Sequence, residues 1–225
     1  RINHNVLALT AQRNIYSSQA ALDTAVNRLS SGLRMNNAWD DPAGLAVSER
    51  MRAQISSMEE AERNAEYNVN LLATAEGAMS VIDEKLIRMR ALAIQASNGA
   101  LTSLDRASLD VEFQQLKSEI TRIASVTNYN GNYLIDGTYS DGTQGIKFHI
   151  GTYNTNNQDY YYVNINDMRA SALGLNPTNL LTTISAQNTI GSLDVAINSK
   201  DTERTSVGAY VERLQNSILN LQISR

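Results

Sequence analysis

Met51, Met58, Ala65, Leu72, Met79, Leu86 and Ala93 recur every seven residues without a break. A second apolar row accompanies them, Ile55 and Val69 at first and Ala75, Ile82 and Met89 later, so it drifts from four residues ahead to three. A nearly straight helix of 3.6 residues per turn produces that drift against a repeat of seven. No proline interrupts Ala43 to Ala100, and proline is the residue that breaks helix interiors. The pattern predicts one helix of roughly 55 residues, about 80 Å long at its usual rise per residue. A helix of that length has to be part of a rod.

Other seams match it. Leu109, Phe113, Leu116, Ile120 and Ile123 step by four and three from a helix start near Ser103, and Val207, Val211, Leu214, Ile218 and Leu221 repeat the idea at the C-terminal end. Extended backwards, the last register meets Lys200 and Arg204, where the seam is imperfect. Seams of one kind bury themselves by packing together as a bundle. An earlier helix, from Val6 to about Ser31, carries Ile15, Leu22, Val26 and Leu29 as one stripe.

The stretch LSSGLRMNNAWDDPAGLAVSERM, Leu29 to Met51, separates this helix from the long one. Gly32 suits the left-handed turn past a helix end. Asp41 can accept backbone N–H bonds as a cap, with Pro42 in the first helical position, where its missing donor costs nothing. The adjacent carboxylates Asp40 and Asp41 lack the alternating ligands and later Glu of a calcium loop. Trp39 in this joint has only a packing explanation.

Between the helical parts the period changes from near seven to two. Asn98-Gly99 ends the long helix, and Asn130-Gly131, Asp136-Gly137 and Asp141-Gly142 are turn signals. Ile146, Phe148 and Ile150 alternate with Lys147 and His149; Tyr161, Val163 and Ile165 alternate after a polar turn, which reads as a β-hairpin. Alternation puts Tyr160 and Tyr162 on one face and Tyr161 on the other, as filling or as a sugar- or partner-binding patch. The fold class is therefore mainly α: a long antiparallel helical bundle or coiled-coil rod with a small β-hairpin insertion. The N- and C-terminal segments are expected side by side.

The composition narrows function by exclusion. A net charge of −4 argues against a nucleic-acid partner. The absence of cysteine removes disulfides, thiolate metal sites and cysteine nucleophiles. No apolar run is long enough for membrane insertion, and the N-terminus lacks the apolar core of a secretory signal. The 2 histidines, His4 and His149, belong to no metal or catalytic spacing, and no HExxH or phosphate-binding glycine pattern occurs. His149 reads as a solvent-facing strand residue. No catalytic residue, metal or cofactor is expected. Amphipathic helices without a globular body need partners to cover them, and other copies of the chain are the economical choice.

Five segments carry a family resemblance. They are RINHNVLALTAQRN at the start, RLSSGLRMNNAWDDPAGLAVSERMRAQI (Arg28 to Ile55), ALAIQASNGALTSLDR (Ala91 to Arg106), ITRIASVTNYNGNYLIDG (Ile120 to Gly137) and LDVAINSKDTERTSVGAYVERLQNSILNL (Leu193 to Leu221). In this order they closely resemble bacterial flagellin, and FHIG with the later MRASALGL resembles the short insert of its compact type. The resemblance implies a self-assembling filament subunit for swimming motility, exported by the flagellum's type III apparatus without a cleaved signal. It implies residues 1–33 as an inner-tube helix, 34–42 as connector, 43–137 with 190–225 as the helical rod domain and 138–189 as the outward insert. The implied partners are further copies in a helical homopolymer, flagellar cap and hook-junction proteins, an export chaperone and a Toll-like innate immune receptor. That receptor's epitope would centre on Arg88, Leu92 and Glu112, although Ile87 and Ala91 stand where the family commonly has Gln and Glu. Alternatives are a hook-filament junction protein of the same superfamily, a flagellin-like adhesin, and a flagellin-like chain with an enzymatic insert. Family members continue past the position of Arg225 into a helix that pairs with the first, so the chain is expected to be a fragment, or else a shortened variant.

Overall fold

The computed structural model describes residues 5–140 and 145–225. The expectations on His4 and on the Asp141-Gly142 turn lie outside the described residues. The chain divides into two compact units, 1–56 and 57–225.

The first unit holds α1, Val6–Ser31, and the opening turns of α2, Pro42–Ala96. Asn5 Oδ1 accepts the Ala8 N–H at 3.1 Å, which satisfies one of the donors left open at the start of α1. At the other end Gly32 adopts φ 69° and donates to Arg28 O at 2.9 Å. Asp40 Oδ2 accepts the N–H groups of Asn36 and Asn37, each at 3.2 Å, and Asn36 Nδ2 donates to Asn27 O, which ties the connector back to α1. Asp41 Oδ1 accepts the Gly44 N–H at 2.9 Å, with Pro42 as the first residue of α2. No residue of α1 is buried.

Met51 corrects an expectation. It continues the seven-residue row but is 59% exposed, and Val47 and Ile55 beside it are exposed too. A heptad position is buried only where another element faces it, and among the described residues none covers this part of the stripe. Trp39, at 80% exposure, is likewise not packed.

The second unit contains the rest of α2, α3 (Ser103–Val126), two small hairpins and α4 (Thr183–Ser224). Direction follows from the side-chain ties. Arg90 meets Asp194, Lys200 meets Asp83, Arg204 meets Glu76 and Gln222 meets Glu62, so residue numbers rise along α4 as they fall along α2. The two helices are antiparallel. Helix α3 starts with a reciprocal capping box: Thr102 Oγ1 accepts from Asp105 N while the Asp105 carboxylate accepts from Thr102 N.

Leu72, Met79 and Leu86 from α2, Phe113, Ile120 and Ile123 from α3 and Val207 and Leu214 from α4 lie in one buried cluster. Leu109, Leu116, Val211 and Ile218 pack against it half-buried, and Met58 and Leu221 are also half-buried. The expected helical architecture is thus present, and α4 begins at Thr183, ahead of position 190. Its longest departure from an apolar seam is at Lys200 and Glu203, both buried.

Strands β1 (Asn128–Tyr129) and β2 (Asn132–Tyr133) form a minimal hairpin. Its turn residues Asn130 and Gly131 both take positive φ, 50° and 83°, which two-residue hairpin turns of this type require. Strands β3 (Ile146–His149) and β4 (Tyr160–Val163) pair antiparallel, with Phe148 opposite Tyr161 and His149 opposite Tyr160. Phe148, Tyr161 and Val163 face the core.

Candidate functional site

The amphipathic surface of α1 is the first candidate. Ile15, Leu22, Val26 and Leu29 form its stripe and are 67, 56, 55 and 85% exposed. Water contact on that much aliphatic surface is unfavourable, by about 25 cal/mol for each Å². Helices in proteins also draw most of their stability from packing an amphipathic face rather than from propensity. Such a face is stabilised when another apolar surface covers it, and continuous exposed apolar patches commonly mark association sites.

The second candidate is the α2/α3 surface. Arg88 and Glu112 are brought together in a bidentate pair, Nε to Oε1 at 2.8 Å and Nη2 to Oε2 at 3.1 Å. Hydrogen bonding to Arg88 holds the Glu112 carboxyl below its usual range, and the same bond with its charge raises the Arg88 guanidinium. Both side chains are about half exposed, so the fork is presented to solvent with defined geometry. Leu92 does not join them. At 1% exposure it sits in the core, because its position on α2 falls between the Met89 and Ala93 rows that face the bundle. Its expected place in an exposed epitope is therefore corrected: of the three residues, only Arg88 and Glu112 form surface.

The third is the hairpin insert. Tyr161 stacks on Tyr210 of α4 at 6.3 Å between ring centroids, with the Arg213 guanidinium 3.9 Å from its ring centre. Burial raises the Tyr161 hydroxyl's pKa. On the opposite face Tyr160 receives Lys147 Nζ at 3.7 Å and stacks with His149 at 6.0 Å. Its ring contacts, Lys147, His149 and the edge-on Tyr162, all come from the hairpin itself, which favours filling over a binding patch. Glu203, buried on α4, accepts the Asn166 N–H at 3.1 Å and its Nδ2 at 2.6 Å, a second tie between insert and rod.

Sequence reasoning registered Lys200 only as a flaw in a seam, and it missed Glu203. The available signal lay across the bundle: Glu76 and Asp83 are spaced by seven on α2, and they meet Arg204 and Lys200. Among the described residues, no group of three or more His, Asp or Glu could hold a metal, and no helix is long and apolar enough to cross a membrane.

The model of the bacterial flagellin N-terminal helical region matches residues 2–140. Flagellin FlaB1 of Treponema pallidum is 36% identical over 99% of this chain and 81% of its own length. The crystal structure of Bacillus cereus flagellin superposes with a TM-score of 0.59 at 34% identity, covering 71% of this chain and 88% of that one. A putative flagellar hook-associated protein from Vibrio parahaemolyticus gives a TM-score of 0.65 over 84% of this chain and 95% of its own, at 15% identity, a likeness of fold alone. A family match over more than half the sequence, with a relative this similar along nearly all of it, means that the chain belongs to the bacterial flagellin family.

Proposed function

We propose that this chain is a structural subunit that polymerises with copies of itself into the bacterial flagellar filament and so serves swimming motility. The observation that carries the reading is α1, whose apolar stripe is exposed along its length. Copies of the chain cover that stripe in a polymer, with residues 1–33 in the inner tube, 34–42 as connector, 43–137 with 190–225 as the rod domain and 138–189 turned outward. Its role is mechanical, as in the family, and no reaction is assigned to it.

Export is assigned to the flagellar type III route, as the family resemblance implies. A chaperone would shield the α1 stripe before assembly, and cap and hook-junction proteins would contact the growing and basal ends. A Toll-like receptor would read the Arg88–Glu112 fork.

Electron microscopy of the full-length gene product tests the reading. Filaments are expected, and Leu22→Glu with Leu29→Glu is expected to abolish them while leaving the circular dichroism of the rod intact. Soluble monomers of the parent under every salt and precipitant condition would overturn it.

A further inference from the structure

The sequence contains two Asn-Gly pairs, Asn98-Gly99 and Asn130-Gly131. The fold treats them differently. Asn130 and Gly131 are the central residues of the β1–β2 turn, both fixed at positive φ between the paired Tyr129 and Asn132. Asn98 and Gly99 lie in the link between α2 and α3 and are exposed. There the Asn98 Oδ1 accepts the Ala100 N–H at 3.0 Å. The Gly99 N–H engages no acceptor among the described residues, and a side chain at Gly99 would meet nothing within 4 Å.

We propose that Asn98 is a site of spontaneous, irreversible deamidation in the folded protein. The hydrogen bond from Ala100 draws electron density from the side-chain carbonyl and leaves Cγ more electrophilic. The Gly99 nitrogen, unhindered and free of a hydrogen bond, loses its proton and attacks Cγ. A Cγ–N bond forms, the Cγ–Nδ2 bond breaks, and the amide nitrogen departs as ammonia. Water then opens the resulting five-membered imide at either carbonyl. The product is an aspartate or, where the main-chain carbonyl is released, an isoaspartate at position 98. No oxidant or enzyme is needed; one water enters and one ammonia leaves.

At Asn130 the same attack requires the hairpin turn to leave its left-handed conformation and break its pairing. Both pairs are exposed, and what separates them is the turn conformation and pairing that restrain Asn130-Gly131 and not Asn98-Gly99. The change at position 98 adds a negative charge just beyond the C-terminus of α2, the end at which a helix disfavours an anion. It also puts that charge next to Arg106, whose Nη1 donates to the Asn98 main-chain oxygen at 3.2 Å and whose buried Nε has no partner. The outcome is an acidic form of the chain altered at the α2–α3 link, accumulating with age.

The test is incubation of the folded full chain in neutral and mildly alkaline buffer, followed by tryptic peptide mapping with fragmentation. The peptide from Ala91 to Arg106 reports Asn98, and that from Ile123 to Lys147 reports Asn130. Asn98 is expected to gain the mass of an amide-to-acid exchange several-fold faster than Asn130, with part of the product accepting a methyl group from an isoaspartyl methyltransferase. In urea the two rates are expected to converge. Gly99→Ala, with unchanged circular dichroism, is expected to slow the conversion several-fold. Persistence of the Asn98 amide while Asn130 converts, equal rates at both sites in the folded chain, or no slowing in Gly99→Ala would each overturn the proposal.

Discussion

The Lys200 ammonium on α4 lies 2.6 Å from Asp83 Oδ1 on α2 and 2.6 Å from Asp201 Oδ1 on its own helix, with Lys200 only 1% exposed. Taking a cation out of water is costly, and its carboxylates offset that cost rather than turning it into a large gain. Asp83 and Asp201 keep 26 and 56% of their side-chain surface in water, so they can be rehydrated if the lysine goes, whereas the ammonium cannot. Lys200→Met is expected to hold the unfolding free energy within about 1 kcal/mol of the parent or above it. Asp83→Ala combined with Asp201→Ala strands a buried charge and is expected to cost about 3 kcal/mol or more. Denaturant melts followed by circular dichroism compare the two, and an equal loss in both would show that the lysine itself is a net stabiliser.

The same residue marks where sequence reading stops. Period and proline spacing suffice to read α2, because a helix's own apolar row is written in consecutive residues. Position 200 is different: whether a lysine in a seam flares outward or is buried depends on what faces it, and Asp83 is distant in sequence. Met51 fails for the converse reason. Its row is regular, yet regularity promises burial only if something covers the row. The Asn130-Gly131 turn was legible as a turn, while its two-residue strands were too short to give an alternating pattern. Of the candidate surfaces, the exposed α1 stripe was evident from periodicity. The separation of Leu92 from Arg88 and Glu112 depended on which face of α2 the bundle covers.

That separation gives a prediction with opposite readouts. Leu92→Ala removes a buried side chain and is expected to destabilise the chain by about 2–5 kcal/mol. Arg88→Ala breaks a half-exposed, solvent-screened ion pair and is expected to leave stability nearly unchanged. If the fork is what the receptor reads, Arg88→Ala weakens receptor signalling at unchanged thermal stability. An unchanged dose response removes Arg88 from that role, and a stable Leu92→Ala would contradict its place in the core.

Two glycine substitutions are expected to act in opposite directions. Gly77 is exposed within α2, and a Cβ there meets nothing within 4 Å. Gly77→Ala is expected to stabilise the chain by about 0.5–1 kcal/mol through the lower entropy lost by alanine in a helix. At Gly151 a Cβ would stand 2.5 Å from Asp159 Cα, a main-chain atom that cannot rotate away. Gly151→Ala is expected to cost about 1–3 kcal/mol as the loop shifts. Thermal melts of the two single variants decide the matter, and similar shifts in one direction would show that the close approach at Gly151 is not constraining.

Asp159 makes that loop sensitive to acid. Its Oδ2 accepts the Thr155 N–H at 2.9 Å and its Oδ1 the Tyr153 N–H at 3.0 Å. The Thr155 bond first and the Tyr153 bond second hold its pKa below the ordinary value of 3.8. Because the folded value is depressed, the charged form contributes stability above the unfolded pKa, and that contribution is lost as pH falls through the lower folded value. Asp159→Asn cannot offer two acceptors, since its amide nitrogen would face one of the two N–H groups. The parent is therefore expected to melt above the variant at neutral pH, with the gap closing below the ordinary aspartate range. Other depressed carboxylates, Glu112 and Asp105 among them, titrate in both proteins and cancel in the difference. Melting temperatures against pH, with the Asp159 carboxyl carbon followed by NMR, provide the measurement, and a gap independent of pH would show that the loop does not depend on the charged carboxylate.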